Sequence, residues 1–345
     1  MSDEGIDLRC AGCAAVRLDS NVCPACGREL GYRFVALPSH DPSPPGPCAG
    51  CGSDRYDAEG RCAECRRPQA LRDRCEADLG SVAVITDRGL VHERNEDAVA
   101  AAVIDGATAG AAGVTVIAVS DGVSTSTQPQ VASGAAVRAG VHATVTALAG
   151  GQAPTEAIMT GLASAAQAVR DVDVADGPAP SCTYVCAIVP HAAETAEITI
   201  ANVGDSRAYW LRAESADGPG NAPSQRLSAD DSWAQALVDA GAMDERAAMN
   251  DPRAHTLIRW LGADSPLRPW ADNCVRTIRT AGPGVLLLCS DGLWNYLPAP
   301  TALAGPATAG VPMAAARGLV EFALRAGGGD NITAAVASVP QCDGR

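Results

Sequence analysis

The chain has 345 residues, 47% apolar and 19% charged, a globular balance with length for about two domains of ~150 residues. Its formal charge of −14 argues against general nucleic-acid or anionic-membrane binding, both of which need a basic surface. All 26 basic residues are Arg, which excludes chemistry resting on a lysine amine, such as that of a Walker A ATPase, a protein kinase or a Schiff-base enzyme.

The first residues, Met1-Ser-Asp-Glu-Gly-Ile-Asp7, are acidic and carry no apolar run, so no secretory signal is expected. No stretch approaches the ~20 apolar residues of a membrane span. The expected location is the cytoplasm, where paired cysteines are more often metal ligands than disulfides. Eight of the fourteen cysteines form four C-x-x-C pairs: Cys10/Cys13, Cys23/Cys26, Cys48/Cys51 and Cys62/Cys65. Nine residues separate the first two pairs and ten the last two. Each set predicts a four-thiolate structural zinc site with no open coordination position. Residues 1–36 and 48–78 are therefore expected to be two zinc ribbons, joined by a Pro-rich linker over 37–47 in which His40 is solvated. Residues 1–78 carry few apolar residues, so metal must supply much of their folding energy. Their acidity favours contact with a protein partner over nucleic acid. Cys75, Cys182, Cys186, Cys274, Cys289 and Cys342 are scattered and read as small apolar residues.

From residue 79 to 340, β-rich runs alternate with Ala-rich helical runs. Strands are expected at Ser81–Thr86, Val114–Ser120, Thr183–Val189, Glu197–Val203, Arg207–Arg212, Cys274–Arg279, Val285–Ser290 and Thr333–Val339. Helices are expected at Gln130–Ala149, Thr155–Asp171, Ser232–Ala240 and Met313–Arg325. A block of helices between runs of strands predicts an α+β fold with largely antiparallel sheet. Arg212–Gln225 reads as a long hairpin loop. His142 is expected on a helix and His191 in a loop.

Four carboxylates sit where an apolar strand breaks into a turn: Asp121 before Gly122, Asp205, Asp291 and Asp330. A fifth acidic pair is Glu96-Asp97. An Asp at a strand end is held on rigid scaffold, and a following Gly lets the backbone turn and offer its carbonyl. Several such carboxylates in one place repel one another unless hard cations lie among them, so Mg²⁺ or Mn²⁺ is expected rather than zinc.

In their order along the chain, Thr86-Asp-Arg-Gly89 with Asn95-Glu-Asp97, Ala118-Val-Ser-Asp121-Gly122, Ala201-Asn-Val-Gly-Asp205-Ser-Arg-Ala-Tyr209, Leu287-Leu-Cys-Ser-Asp291-Gly-Leu-Trp294 and Asp330-Asn-Ile-Thr333 resemble the motifs of the metal-dependent Ser/Thr protein phosphatases, the PPM or type 2C family. The resemblance covers about residues 80–340. It implies two packed antiparallel sheets with helices outside, and hydrolysis of phosphoserine and phosphothreonine on proteins by two-metal-activated water. It further implies that Asp121 bridges two ions, that the Gly122 carbonyl binds one, and that Asp291 and Asp330 hold the other. Glu96 and Asp97 would hold metal-bound waters, and Asp205 would serve a third, weaker ion. Three positions depart from the family pattern. His92 replaces an Arg that grips phosphate, Val123-Ser-Thr-Ser126 replaces a Gly-Gly-His turn, and Asp231 stands where many members have His. If residues 91–95 are extended, Arg94 shares a face with His92 and either reaches the same pocket or pairs with a surface carboxylate. His255 falls in a stretch resembling the family's flap. The alternative reading is a pseudophosphatase, or a ribbon scaffold, that binds phosphoproteins without turnover.

Overall fold

The computed structural model describes residues 32–38, 48, 51–53, 55, 62–66, 74–104, 113–174, 177–191, 195–213, 223–281 and 283–339. Along the chain run β1 (Tyr32–Leu37), β2 (Arg74–Asp78), β3 (Val82–Asp87), β4 (Ala98–Ile104), β5 (Val114–Ser120), α1 (Pro129–Ala149) and α2 (Pro154–Arg170). There follow β6 (Ser181–Cys182), β7 (Tyr184–Pro190), β8 (Thr195–Val203), β9 (Arg207–Leu211), β10 (Gln225–Arg226), α3 (Trp233–Asp239), α4 (Glu245–Ala248) and β11 (Leu261–Gly262). The chain continues through β12 (Val275–Ala281), β13 (Gly284–Cys289), α5 (Asp291–Trp294), α6 (Pro300–Ala307), α7 (Pro312–Ala326) and β14 (Ile332–Val339).

The strands form two six-stranded antiparallel sheets, ordered β1-β4-β5-β7-β8-β12 and β10-β9-β13-β14-β3-β2, with β6 and β11 as a small third pair. Alternate side chains of each central strand enter different layers, as the two-residue period of a strand requires. Ala98, Ala100, Ala102 and Ile104 of β4 pack toward α1 and α2, while Val99, Ala101 and Val103 join the core between the sheets. In β14, Ala335, Ala337 and Val339 face that same central core, and Ile332, Ala334 and Val336 pack with α6 and α7. The result is four layers, helices–sheet–sheet–helices. Pro129, Pro154, Pro300 and Pro312 each open a helix at its first turn, where the missing N–H costs nothing.

The expected fold class holds, and every expected strand and long helix is present within one or two residues. Besides the two-residue β6, β10 and β11, three longer strands lie outside the expectation. β4 reads Ala-Val-Ala-Ala-Ala-Val-Ile, a poor strand by propensity. It forms because both its faces are buried between close layers, where small side chains fit. β1 and β2 fall in the stretches expected to be ribbon and linker, but β1 pairs with β4 and β2 with β3. The sheets therefore reach back to Tyr32, which is buried, and the boundary at residue 79 is displaced.

Cys10, Cys13, Cys23, Cys26, His40 and Cys342 lie outside the described residues. So does most of the Arg212–Gln225 loop, whose ends do pair as a hairpin through Trp210 and Gln225. Cys182, Cys186 and Cys289 are buried among apolar residues, and Cys75 and Cys274 are partly so. His142 is exposed on α1, and His191 follows β7, bonded to Thr115 Oγ1 at 2.5 Å. Among the described residues no helix is long and apolar enough to cross a membrane.

Candidate metal centre and active site

The acidic motifs meet at one end of the two sheets. Asp121 follows β5, and Asp205 occupies the turn that carries the chain from the first sheet (β8) into the second (β9). Asp291 opens α5 directly after β13, and Asp330 precedes β14 by two residues. Asp121, Gly122, Asp205, Asp291, Asp330 and His255 line one cleft of about 610 Å³. Glu96, Asp97, His92 and Arg94 lie in the loop before β4 and do not line it.

Short polar side chains lock these ends together. Asn331 is buried, and its Oδ1 accepts from the Glu96 N–H at 2.7 Å, while its Nδ2 donates to the Arg88 and Arg94 carbonyls at 2.7 and 3.0 Å. Ser290 Oγ donates to Asp97 Oδ2 at 2.6 Å and accepts from the Thr333 N–H at 3.0 Å. Thr183 Oγ1 accepts from the Asp121 N–H at 3.0 Å and is bonded to Ser206 Oγ at 2.7 Å. Two glycines are needed for close approach. A Cβ on Gly122 would stand 2.6 Å from the Pro129 carbonyl oxygen, and one on Gly89, at φ +74°, 2.1 Å from the Asp330 carbonyl oxygen.

The site is electrostatically unstable by itself. Burial, reinforced by the charges of its neighbours, raises the carboxyls of Asp121 and Asp205 well above the ordinary range. Burial pushes Asp97 up to about 7 against the opposing hydrogen bond from Ser290. Burial and the Asp330 charge push Asp291 up to about 6. Asp97 Oδ1 and Asp291 Oδ1 are buried with no hydrogen-bond partner. Converging carboxylates with free oxygens, in a cleft that no thiol lines, fit hard divalent cations. Near Asp291 the donor set is mixed: Asp205, His255 and Asp291 each place a ligand atom within 4.8 Å of the others. In the second ribbon Cys48, Cys51, Cys62 and Cys65 meet the same test with four sulfurs, the donor set of a closed zinc site.

The residues that sequence reasoning put on phosphate do not share one target. His92 Nε2 stands 3.2 Å from Asp330 Oδ1. Arg94 Nε donates to Glu96 Oε1 at 2.7 Å, so its partner is a buried carboxylate rather than a surface one. The other Glu96 oxygen accepts from Ser124 Oγ at 2.6 Å, within the stretch that replaces Gly-Gly-His. Asp231 has a bracing role: its Oδ2 accepts from the Gly204 N–H at 3.2 Å and its Oδ1 from Arg259 at 2.7 Å. Asn331 and Thr183 carried no role in the sequence reading. The signal for Asn331 was its place beside Asp330 in a recognised motif, and for Thr183 there was none.

No family model matches the chain. A serine/threonine phosphatase, stp, of Listeria innocua is 36% identical over 116 residues, 34% of this chain and 40% of that relative. The chain thus spans less than half the length of that relative. The crystal structure of the PPM Ser-Thr phosphatase MsPP from Mycobacterium smegmatis, in complex with cacodylate, matches at a TM-score of 0.56 and 26% identity. It covers 76% of this chain and all of that one. The chain thus resembles the PPM phosphatases both in sequence and in fold. The catalytic domain of the PPM-fold phosphatase PstP, solved with two manganese ions, matches at a TM-score of 0.52 and 23% identity, over 75% of this chain and 97% of that one. The two sheets with outer helices are the PPM architecture, and the strand ends that carry the acidic motifs are the ones that meet in the cleft.

Proposed function

We propose that the protein is a metal-dependent serine/threonine protein phosphatase that hydrolyses phosphoserine and phosphothreonine on proteins. The observation that carries this is the convergence of Asp121, Asp205, Asp291 and Asp330 on one cleft at the joined ends of both sheets. Asp121, the Gly122 carbonyl, Asp291 and Asp330 would hold two Mn²⁺ or Mg²⁺ ions, with Asp97 and Glu96 behind them and Asp205 serving a third. Such ions, when bound, activate water as the nucleophile and neutralise charge on the phosphoryl oxygens. The manganese in the PstP structure supports this choice of metal.

The chain's own residues do the positioning. Ser290 fixes the Asp97 carboxyl and leaves its Oδ1 free, and Arg94 and Ser124 hold both oxygens of Glu96. Arg94 commits its Nε to Glu96, and its terminal nitrogens, on a half-exposed side chain, are available to take the substrate phosphate as a fork. His92, at Asp330, offers at most two donors to the same group. The four sulfurs of the second ribbon support a structural zinc ion there, and the C-x-x-C repeat extends the same proposal to the first ribbon, with the ribbons as a protein-contact module. We place the protein in the cytoplasm, with no nucleic-acid or membrane partner.

The test is hydrolysis of p-nitrophenyl phosphate and a phosphothreonine peptide by chelator-treated protein, with and without added Mn²⁺, alongside zinc analysis of the reduced protein. Mn²⁺-dependent release of phosphate and about two zinc ions per chain are expected from the two four-sulfur sets. Phosphopeptide binding without turnover would refute the enzymatic reading.

A further inference from the structure

One group in the cleft has no part in the reading above. His255 lies on the loop after α4, exposed, beside two carboxylates from different sheet ends. We propose that its imidazole joins Asp205 and Asp291 as the third ligand of an outer cation site, and that this site takes a divalent transition-metal ion such as Mn²⁺ in preference to Mg²⁺ or Ca²⁺. The proposal rests on the cleft being a divalent-cation site and adds to it a nitrogen ligand and a metal preference.

Four observations carry it. The ligand atoms of Asp205, His255 and Asp291 all lie within 4.8 Å of one another, a spacing that one ion spans with small side-chain adjustments. One of the three donors awaits a partner: Asp291 Oδ1 is buried and unpartnered, and Asp205 beside it is more than nine-tenths buried.

The imidazole is also held in place. It stacks on Trp294, with ring centroids 5.7 Å apart and planes inclined by 21°. Trp294 is itself fixed, because its indole N–H donates to the Asp205 carbonyl at 2.9 Å and the Arg207 guanidinium lies 3.5 Å over its ring. The backbone around His255 is pinned on both sides, with the carbonyls of Ala254 and Thr256 accepting from the N–H groups of Ala234 and Trp233. Asp231 then ties this loop to the Asp205 turn, since its carbonyl accepts from the Ile258 N–H and its carboxylate from the Gly204 N–H. The structure thus brings an imidazole to the carboxylates and holds it there. An imidazole nitrogen among oxygens favours transition ions over Mg²⁺ and Ca²⁺, which prefer all-oxygen shells. Three protein donors leave coordination positions open toward the cleft.

The test uses the full chain, stripped by chelator and titrated with Mn²⁺. Bound ions are counted by calorimetry, and a directly bound imidazole nitrogen is detected by electron spin echo modulation. Wild type should show the nitrogen signal. His255→Gln should lose it together with one Mn²⁺ per chain, or weaken that ion by about tenfold or more. His142→Gln, at an exposed position on α1 away from the cleft, should keep both the signal and the count. His255→Asp, which returns an oxygen donor, should recover the ion without the nitrogen signal, an outcome that a merely structural role for His255 would not produce. Excess Mg²⁺ should displace Mn²⁺ from the other positions and leave the nitrogen-coupled ion. A full count and an intact signal in His255→Gln would overturn the proposal while leaving the cleft a cation site. Complete displacement by Mg²⁺ would overturn the preference. A wild-type chain that binds no Mn²⁺ would overturn the reading on which the proposal rests.

Discussion

Replacing Asn331 with Ala tests how the first and last acidic motifs are joined. The side chain is 2% exposed and makes three hydrogen bonds, one to the Glu96 N–H and two from its own amide to the Arg88 and Arg94 carbonyls. Truncation strands the Glu96 N–H in a buried setting, which costs about 1–3 kcal/mol. The two carbonyls are partly buried and take up water, so each loses only the ordinary net value of a hydrogen bond, about 0.5–1.5 kcal/mol. The sum centres on roughly 4 kcal/mol, or a fall in Tm of about 8–16 °C for a large domain. The same bonds set the height of the 88–96 loop against β14, so Glu96 and Asp97 move with them. The value of kcat/KM should fall by about tenfold or more, because small misplacements of site groups are costly. Asn331→Asp keeps an acceptor for the Glu96 N–H but loses both donors, and should lie between Ala and wild type in Tm. Thermal melts and steady-state kinetics on a phosphopeptide decide the matter. A fall in Tm below about 2 °C with unchanged kinetics would show that the loop is positioned by something other than Asn331.

Three further outcomes are expected. Asp121→Asn or Asp291→Asn should lower kcat for Mn²⁺-dependent hydrolysis by on the order of 10², since a charge holding the nucleophile's site is lost; retention of half the activity would refute the assignment. Arg94→Ala should raise KM for a phosphopeptide several-fold, and should also lower kcat because Glu96 Oε1 loses its partner at 2.7 Å. His92→Ala should do less near pH 8, so a silent Arg94 variant beside a crippled His92 variant would reverse the two roles. Removal of residues 1–78 should destabilise the body, because it strips β1 and β2 from the sheet edges together with buried Tyr32, Ala36 and Leu37, a loss on the order of 5 kcal/mol of apolar burial. A truncated protein that melts with wild type would show that β1 adds nothing to the core.

The strand-end carboxylates were legible because their signal is local: an apolar run, a Ser, an Asp and a Gly state a strand, its end and a turn within a few residues. The C-x-x-C pairs were legible for the same reason, their spacing being itself the geometry of a ligand turn. The long helices expected from Gln130, Thr155 and Met313, and the strands expected from apolar runs, followed from local composition alone. The tertiary structure decided what depends on distance. Ala98–Ile104 becomes a strand only because helices and a second sheet close on its two faces, and Tyr32–Leu37 joins the body only because β4 has a free edge. Arg94 finds Glu96 two residues away, but His92 finds Asp330 across more than two hundred residues, a pairing that no local pattern encodes. His255 arrives beside Asp205 and Asp291 from a loop held by Asp231 and Trp294. Sequence spells out which groups can bind an ion, and the packing of two sheets determines which of them reach the same one.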